Sequence, residues 1–120
     1  MTLILHRNAL VGPQGHAQVK LSDLGLSRTL SSSPYYLKTS NYTVPVKWMA
    51  PEGVFERKYS LKSDVWSYGV LCWEVYTLGE QPYPGMTAEG AVNAVQRGHR
   101  LGQPEGCPEP MFVCVDCVMR

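Results

Sequence analysis

The chain has 120 residues, of which 44% are hydrophobic and 18% charged, and its net charge is +1. This is ordinary globular composition, and the length suits one core rather than two domains. The small net charge excludes a strongly basic surface for nucleic acid or an anionic membrane. No apolar run approaches the roughly 20 residues of a membrane helix, and the start lacks the apolar stretch of a signal peptide. We therefore expect a cytoplasmic chain if it is expressed alone.

The first predicted element is a short β-hairpin. Residues 17–21 alternate apolar and polar side chains, as a half-buried strand does, and residues 8–11 are a candidate partner strand. Residues 12–15 (G-P-Q-G) are a turn by composition. Residues 22–45 follow as a long, serine-rich loop. Loops of this length inside a compact domain are uncommon and usually functional.

The strongest helical pattern covers residues 60–78. Either Ser60 or Ser63 is a suitable cap, Asp64 is favourable in the first turn because of the helix dipole, and Gly79 is a natural stop. Apolar residues cover nearly its whole circumference, which predicts a helix buried in the core.

Two further helices are predicted after the turn-rich residues 81–85. The first runs from Thr87, its cap, to Arg97, and Gly98 ends it. Residues 102–110 contain three prolines and are predicted to be a loop, and residues 111–119 could begin a third helix.

The four cysteines do not indicate a zinc site. Their spacing offers one C-x-x-C pair, Cys114 and Cys117, with neither a second pair nor suitably spaced histidines. We interpret the cysteines as structural.

Three segments carry the candidate chemistry, and they occur in a fixed order. They are residues 20–26 (K-L-S-D-L-G-L), residues 45–52 (P-V-K-W-M-A-P-E) and residues 63–69 (S-D-V-W-S-Y-G). Together they resemble the carboxy-terminal lobe of a protein kinase, in which D-L-G stands for D-F-G and A-P-E is unchanged. The resemblance implies a mainly α fold with a short β-hairpin, the truncated C-terminal lobe of an α+β protein-kinase-like fold.

The resemblance also implies a division of the chain. Residues 1–6 are a divergent N-terminal start, and residues 7–120 are a partial kinase C-lobe of tyrosine kinase type, with an activation segment over residues 23–52. Because the last helices of such a lobe would be cut short, we expect the apolar residues of the central helix to be partly uncovered.

The kinase subtype follows from three local similarities. The run of Pro45, Val46, Lys47 and Trp48 resembles the substrate-binding strand of tyrosine kinases. The R-N-x-L-V pattern that begins at Arg7 resembles receptor-type kinases. Tyr35 and Tyr36 stand where related receptors carry activation-loop phosphorylation sites.

The resemblance assigns the phosphate chemistry to two residues. Asp23 and Asn8 would supply the oxygen ligands of Mg²⁺ that accompanies ATP. Each phosphate on Tyr35 or Tyr36 would add about −1.5 to −2 charge. Arg28 and Arg7 are the nearest basic residues in sequence to receive it.

Other family positions are expected to be structural. Glu52 would pair with an arginine from the later part of the lobe. Asp64 would be buried at a helix start and accepts hydrogen bonds from the catalytic-loop backbone. Trp48, Trp66 and Trp73 would belong to the core.

The chain departs from the family at its start, where Leu3 stands at the position of the catalytic aspartate. It also contains no glycine-rich phosphate loop and no nucleotide-binding lysine motif. We therefore expect the chain alone to be inactive. The parent would be a receptor tyrosine kinase that uses ATP and Mg²⁺ at the cytosolic side of the plasma membrane, with protein tyrosine substrates and signalling proteins as partners. Two alternatives stay open: a receptor-type pseudokinase scaffold, at which Leu24 in D-L-G hints, and a non-functional truncated product.

Overall fold

The computed structural model describes residues 8–12, 18–27, 33, 35–37 and 44–112. Its strands are β1 (Ala9–Val11), β2 (Val19–Leu21), β3 (Tyr35–Leu37) and β4 (Lys58–Ser60), and its helices are α1 (Pro51–Phe55), α2 (Leu61–Tyr76) and α3 (Ala88–Gln96). Two 3₁₀ turns cover Leu24–Leu26 and Val46–Trp48, and residues 109–112 are helical. The described part is α-rich with short antiparallel strand pairs, in agreement with the predicted mainly α fold with a short β-hairpin.

The predicted hairpin is confirmed. Strands β1 and β2 are antiparallel, and Leu10 lies opposite Lys20. Beyond the ladder, the Gly12 N–H donates to the Gln18 carbonyl at 3.2 Å. The alternation in the sequence therefore marks a real strand, although its apolar side chains are exposed rather than half-buried.

The predicted loop over residues 22–45 is wrong in one segment. Residues Tyr35–Leu37 form β3, which pairs antiparallel with β4. Strand β4 lies between α1 and α2 along the chain. In this register Tyr35 lies opposite Ser60, and Leu37 lies opposite Lys58. A three-residue strand whose partner is more than twenty positions away has too few residues to show a period in sequence.

Helix α2 begins with both of the predicted serines. Ser60 is the N-cap, and its hydroxyl accepts from the Ser63 N–H at 3.4 Å, while the Ser60 N–H donates to the Ser63 hydroxyl at 2.9 Å. This reciprocal arrangement is a capping box. The helix ends where Gly79, with a φ of 95°, donates its N–H to the Glu74 carbonyl at 2.8 Å. Local sequence therefore sets both ends of the helix.

The hydrophobic core forms around α2. All three predicted core tryptophans lie in it, with exposed fractions of 9% or less. Its buried members are Trp48, Ala50, Trp66, Val70, Trp73, Tyr83, Ala91, Val95 and Leu101. The core thus joins α2 to the segment before α1, the turn after α2, and α3.

The prediction that α2 is buried on all sides is wrong. Leu61 and Val75 are 68% and 60% exposed, and Val65 and Tyr68 are also exposed. These side chains repeat every three or four residues, so they share one face of the helix. The expectation that the apolar residues of the central helix are partly uncovered is confirmed.

The later elements follow the sequence closely. Thr87 caps α3, accepting from the Gly90 N–H at 3.0 Å. The third helical segment begins at residue 109, two positions before the predicted start at 111, since Pro108 accepts from the Met111 and Phe112 N–H groups. Of the predicted loop over residues 102–110, residues 102–108 are irregular as predicted, whereas residues 109 and 110 are helical.

Candidate functional site

The open end of the hairpin, away from its turn, brings the two predicted magnesium ligands to neighbouring positions. The Asn8 carbonyl accepts from the Ser22 N–H at 2.8 Å and from the Ser22 hydroxyl at 3.2 Å. Asn8 precedes β1 directly, and Asp23 follows Ser22. The ladder between β1 and β2 therefore sets residue 8 beside residues 22 and 23.

Asp23 has an unusual backbone conformation. Its φ of 58° and ψ of 59° lie in the left-handed region, and it begins the 3₁₀ turn over Leu24–Leu26. Aspartate tolerates this region better than most residues because its short polar side chain can bond locally. The chain thus turns sharply after β2, and Asp23 is exposed while Asn8 is buried.

Carboxylate and amide oxygens are the donors that Mg²⁺ prefers. Asp23 offers an exposed carboxylate, and Asn8, which is hydrogen-bonded to Ser22 across the hairpin, offers an amide oxygen, so the donor types of this pair suit a magnesium ion. Across the described ranges, the hairpin included, no group of three or more His, Cys, Asp or Glu side chains could hold a metal ion.

The predicted substrate-binding strand is not a strand. Residues Val46–Trp48 form a 3₁₀ turn, with Pro45 as its N-cap, and the Trp48 and Met49 N–H groups donate to the Pro45 and Val46 carbonyls. Proline favours this position because its φ is already fixed and it lacks an N–H to satisfy. The segment therefore curves across the core instead of pairing with a neighbouring strand.

Two buried hydrogen bonds join this turn to α2. The Trp48 indole Nε1 donates to the Glu74 carboxylate at 2.8 Å, and the Ser67 hydroxyl donates to the Trp48 carbonyl at 2.8 Å. Glu74 is only 1% exposed. Glu74 was not predicted from the sequence, although a carboxylate in the apolar part of a helix is a signal that a buried polar partner is present.

Lys47 gives the turn a third attachment. Its ammonium donates to the Pro82 carbonyl at 3.1 Å, in the segment between α2 and α3. Beside it, a small apolar groove runs between the 3₁₀ turn, α1 and α3, lined by residues that include Val46, Met49, Val54 and Val92. The segment is thus fixed from two sides and borders an apolar recess.

The two candidate phosphorylation sites lie in β3. The Tyr35 ring is 38% exposed, and the Lys58 ammonium lies 4.5 Å from its centroid. Tyr36 lies opposite Tyr59 in the strand register. Arg28 and Arg7, the basic residues that the sequence offers as phosphate partners, lie outside the described residues. The contact of Lys58 with Tyr35 was not predicted, because it depends on strand pairing.

The two predicted structural carboxylates lie in first turns of helices. Glu52 is in the first turn of α1 and Asp64 in that of α2, and both are partly buried. Asp64 is thus less buried than predicted. Leu3, the cysteines Cys114 and Cys117, and the catalytic-loop backbone predicted to contact Asp64 lie outside the described residues.

A polar cluster closes the core near α3. The Arg100 guanidinium lies 5.0 Å from the Trp66 ring centroid, and one of its nitrogens donates to the Val95 carbonyl at 3.0 Å. Burial raises the pKa of the Tyr83 hydroxyl to about 12, against a smaller lowering by Arg100. The Tyr83 hydroxyl is buried and has no hydrogen-bond partner within the part of the chain that the structure describes.

Comparison with known families gives a match that covers nearly the whole chain. A family model described as protein tyrosine and serine/threonine kinase matches residues 4–120, which include every described residue. In addition, none of the helices within the described ranges is both long enough and apolar enough to span a bilayer.

Proposed function

Because the chain belongs to the protein tyrosine and serine/threonine kinase family, we propose that it is part of the carboxy-terminal lobe of a receptor tyrosine kinase. The complete domain would transfer the γ-phosphoryl group of ATP to a protein tyrosine. The observation that carries this proposal is the pair of hydrogen bonds from Ser22 to the Asn8 carbonyl at the open end of the hairpin, which sets Asn8 beside Ser22 and its neighbour Asp23.

Phosphoryl transfer depends on positioning the reactants and on neutralising the phosphate charge. Both requirements support the assignment of the hairpin as the magnesium site. An aspartate directly after one strand and an asparagine directly before its partner share one end of a rigid ladder. Asp23 and Asn8 would hold Mg²⁺, and the ion would neutralise charge on the ATP phosphates during transfer. Their separation would then depend on the hairpin register rather than on flexible loops.

The segment from Pro45 to Trp48 would present the substrate tyrosine. Three attachments fix it: the bonds of Trp48 to Glu74 and Ser67, and that of Lys47 to the Pro82 carbonyl. A platform held to a buried helix keeps its shape while substrate binds, which is what near-attack positioning requires.

Partners and location follow the receptor assignment. Protein tyrosine substrates and signalling proteins would bind at the platform, and the domain would act at the cytosolic side of the plasma membrane. Glu52 and Asp64 would support the platform and the catalytic loop from the first turns of their helices.

These 120 residues alone would not transfer phosphate. Leu3 cannot orient a substrate hydroxyl, and the sequence contains no lysine motif to position the ATP phosphates. A phosphotransfer assay with ATP, Mg²⁺ and a tyrosine peptide should give no product, whereas transfer that depends on Asp23 would contradict inactivity.

A pseudokinase scaffold is the second candidate, and one observation favours it. Leu24, which replaces the usual phenylalanine, is exposed rather than packed in the core. Phosphotransfer by the full-length parent protein would favour the enzyme, whereas its absence together with retained protein binding would favour the scaffold.

The metal assignment is tested directly with Mn²⁺ as a paramagnetic substitute for Mg²⁺, in the presence of ATP. NMR signals of residues 8 and 22–25 should broaden, and Asp23→Asn should abolish the broadening because it removes the carboxylate. The matched control is Glu105→Gln, which removes an exposed carboxylate of the 101–108 segment. Broadening that persists in Asp23→Asn, or that disappears equally in Glu105→Gln, would overturn the assignment.

A further inference from the structure

Tyr35 and Lys58 are held together by the pairing of β3 with β4. Tyr35 lies opposite Ser60 and Leu37 lies opposite Lys58, so Tyr35 and Lys58 are diagonal neighbours on one face of the ladder. The Lys58 ammonium lies 4.5 Å from the ring centroid, within the range of a cation–π contact. The strand register therefore places the Lys58 ammonium against the Tyr35 ring.

The neighbouring cation, Arg57, acts on a different tyrosine. Burial raises the pKa of Tyr59, and the nearby Arg57 guanidinium partly offsets this. Tyr59 packs against α1, where a Cβ added at Gly53 would meet its ring at 3.3 Å. Adjacent residues of a strand face opposite sides, so Lys58 and Tyr59 serve different faces. Of the adjacent cations Arg57 and Lys58, Lys58 is accordingly the one that contacts Tyr35.

The chemistry of this pair changes when the hydroxyl carries a phosphate. A tyrosine kinase transfers the γ-phosphoryl group of ATP: the bond to the β–γ bridging oxygen breaks, a bond to the tyrosine oxygen forms, the phenolic proton is released and ADP leaves. The product carries about −1.5 to −2 charge and three strong acceptor oxygens. A lysine ammonium is a point charge on a flexible stem, so it can move from the ring face to a phosphate on the same ring.

We propose that Lys58 is the phosphate-binding residue for phosphorylated Tyr35. The resulting ion pair ties β3 to β4 immediately before the Ser60 cap of α2, and so fixes part of the segment between Asp23 and Pro45 against the helix that holds the substrate platform. The regulatory meaning of this contact rests on the proposed kinase function, while the contact itself does not.

The test uses the 120-residue chain prepared by semisynthesis with phosphotyrosine at position 35 and Tyr36→Phe, so that a single phosphate is observed. A ³¹P NMR titration measures the second pKa of that phosphate, which is ordinarily about 6. A neighbouring ammonium favours the dianion, so we expect this pKa to be lower by about half a unit, the size of one partly exposed ion pair.

Three variants decide the outcome. Lys58→Gln should return the phosphate pKa to its ordinary value, and Lys58→Arg should keep it low because the charge remains. Lys62→Gln, which removes an exposed lysine from the first turn of α2, is the matched control and should leave the pKa low. The same titration curve in all of these proteins would overturn the proposal and would show a surface cation–π contact only.

Hydrogen exchange gives a second measurement on the same proteins. Phosphorylation should slow the exchange of amides in β3 and β4, and Lys58→Gln should remove that slowing. Equal slowing in Lys58→Gln would contradict the proposal. Either failure leaves the Mn²⁺ test of Asp23 unaffected, so the two proposals are separable.

Discussion

The hairpin at residues 8–27 and the α2 region at residues 44–101 are stabilised in different ways. The hairpin rests on its ladder and on the bonds between Ser22 and Asn8, and the apolar side chains of Leu10, Val11 and Val19 are exposed. The α2 region instead buries three tryptophans and fixes one of them through Glu74. Backbone pairing thus places the candidate metal ligands, whereas side-chain packing places the candidate substrate platform.

This difference has a consequence for function. A hairpin with exposed apolar faces opens more readily than a buried helix, because local stability follows the apolar contacts and protected hydrogen bonds of each segment. In the proposed kinase, metal binding would therefore depend on groups that cover the exposed apolar side chains of the hairpin. The substrate platform would form without those groups, because it is held by its own packing against α2.

Truncating one valine in each region gives the largest expected contrast. Val70 is 0% exposed and Val11 is 73% exposed. Val70→Ala should lower the free energy of unfolding by about 2–3 kcal/mol because it removes buried methyl groups and leaves a cavity. Val11→Ala should change it by less than about 0.5 kcal/mol. Urea unfolding followed by tryptophan fluorescence measures both, and equal effects would contradict the comparison.

Removing one indole N–H tests the attachment of the platform to α2. Trp48→Phe leaves the buried Glu74 carboxylate short of a donor, and should cost about 1–3 kcal/mol of stability. Trp73→Phe is the matched control, since its Nε1 donates at 3.0 Å to the carbonyl of exposed Gly102, which water can replace. Urea unfolding of the two variants should show a larger loss of stability for Trp48→Phe. The reverse order would contradict the conclusion that the bond to Glu74 attaches the platform to α2.

The smallest expected effect depends on pH and concerns Tyr83. Its pKa is raised by burial to about 12 in the folded protein, so the unfolded chain loses this proton first as the pH rises above about 10. Between pH 10 and 12 the wild type should therefore lose stability, by less than the ~1.4 kcal/mol per pH unit that one proton allows.

The control is Tyr83→Phe, which should lack this part of the pH dependence. Because the Tyr83 hydroxyl has no hydrogen-bond partner within the described residues, the substitution should cost little at pH 7. Urea unfolding at pH 7, 10 and 11 measures the difference, and parallel pH profiles for the two proteins would contradict a buried Tyr83 hydroxyl.

Features that depend on a few neighbouring residues were predictable. The serine cap of α2 and the Thr87 cap involve groups three positions apart, and the paired residues of the hairpin are at most twelve positions apart, so their residue types show in the sequence. The resemblance to kinases also came from short motifs, and the family match over residues 4–120 confirmed it at the level of the kinase family.

Features that depend on distant residues were not predictable from one sequence. The β3–β4 pair and the buried position of Glu74 arise from contacts between segments more than twenty residues apart. An apolar helix pattern also cannot show which faces are covered, and so the exposed face of α2 with Leu61 and Val75 was predicted to be buried.

The sequence by itself determined the family, the positions of the main helices and the hairpin that places Asn8 near Asp23. These features depend on short motifs and on bonding between residues close in sequence. Tertiary structure decided that Trp48 reaches Glu74, and that Lys58 rather than a sequence neighbour lies over Tyr35. The contact between Trp48 and Glu74 requires the 3₁₀ turn to pack against α2, and the contact between Lys58 and Tyr35 requires β3 to pair with β4. Spacing along the chain shows neither of these partners.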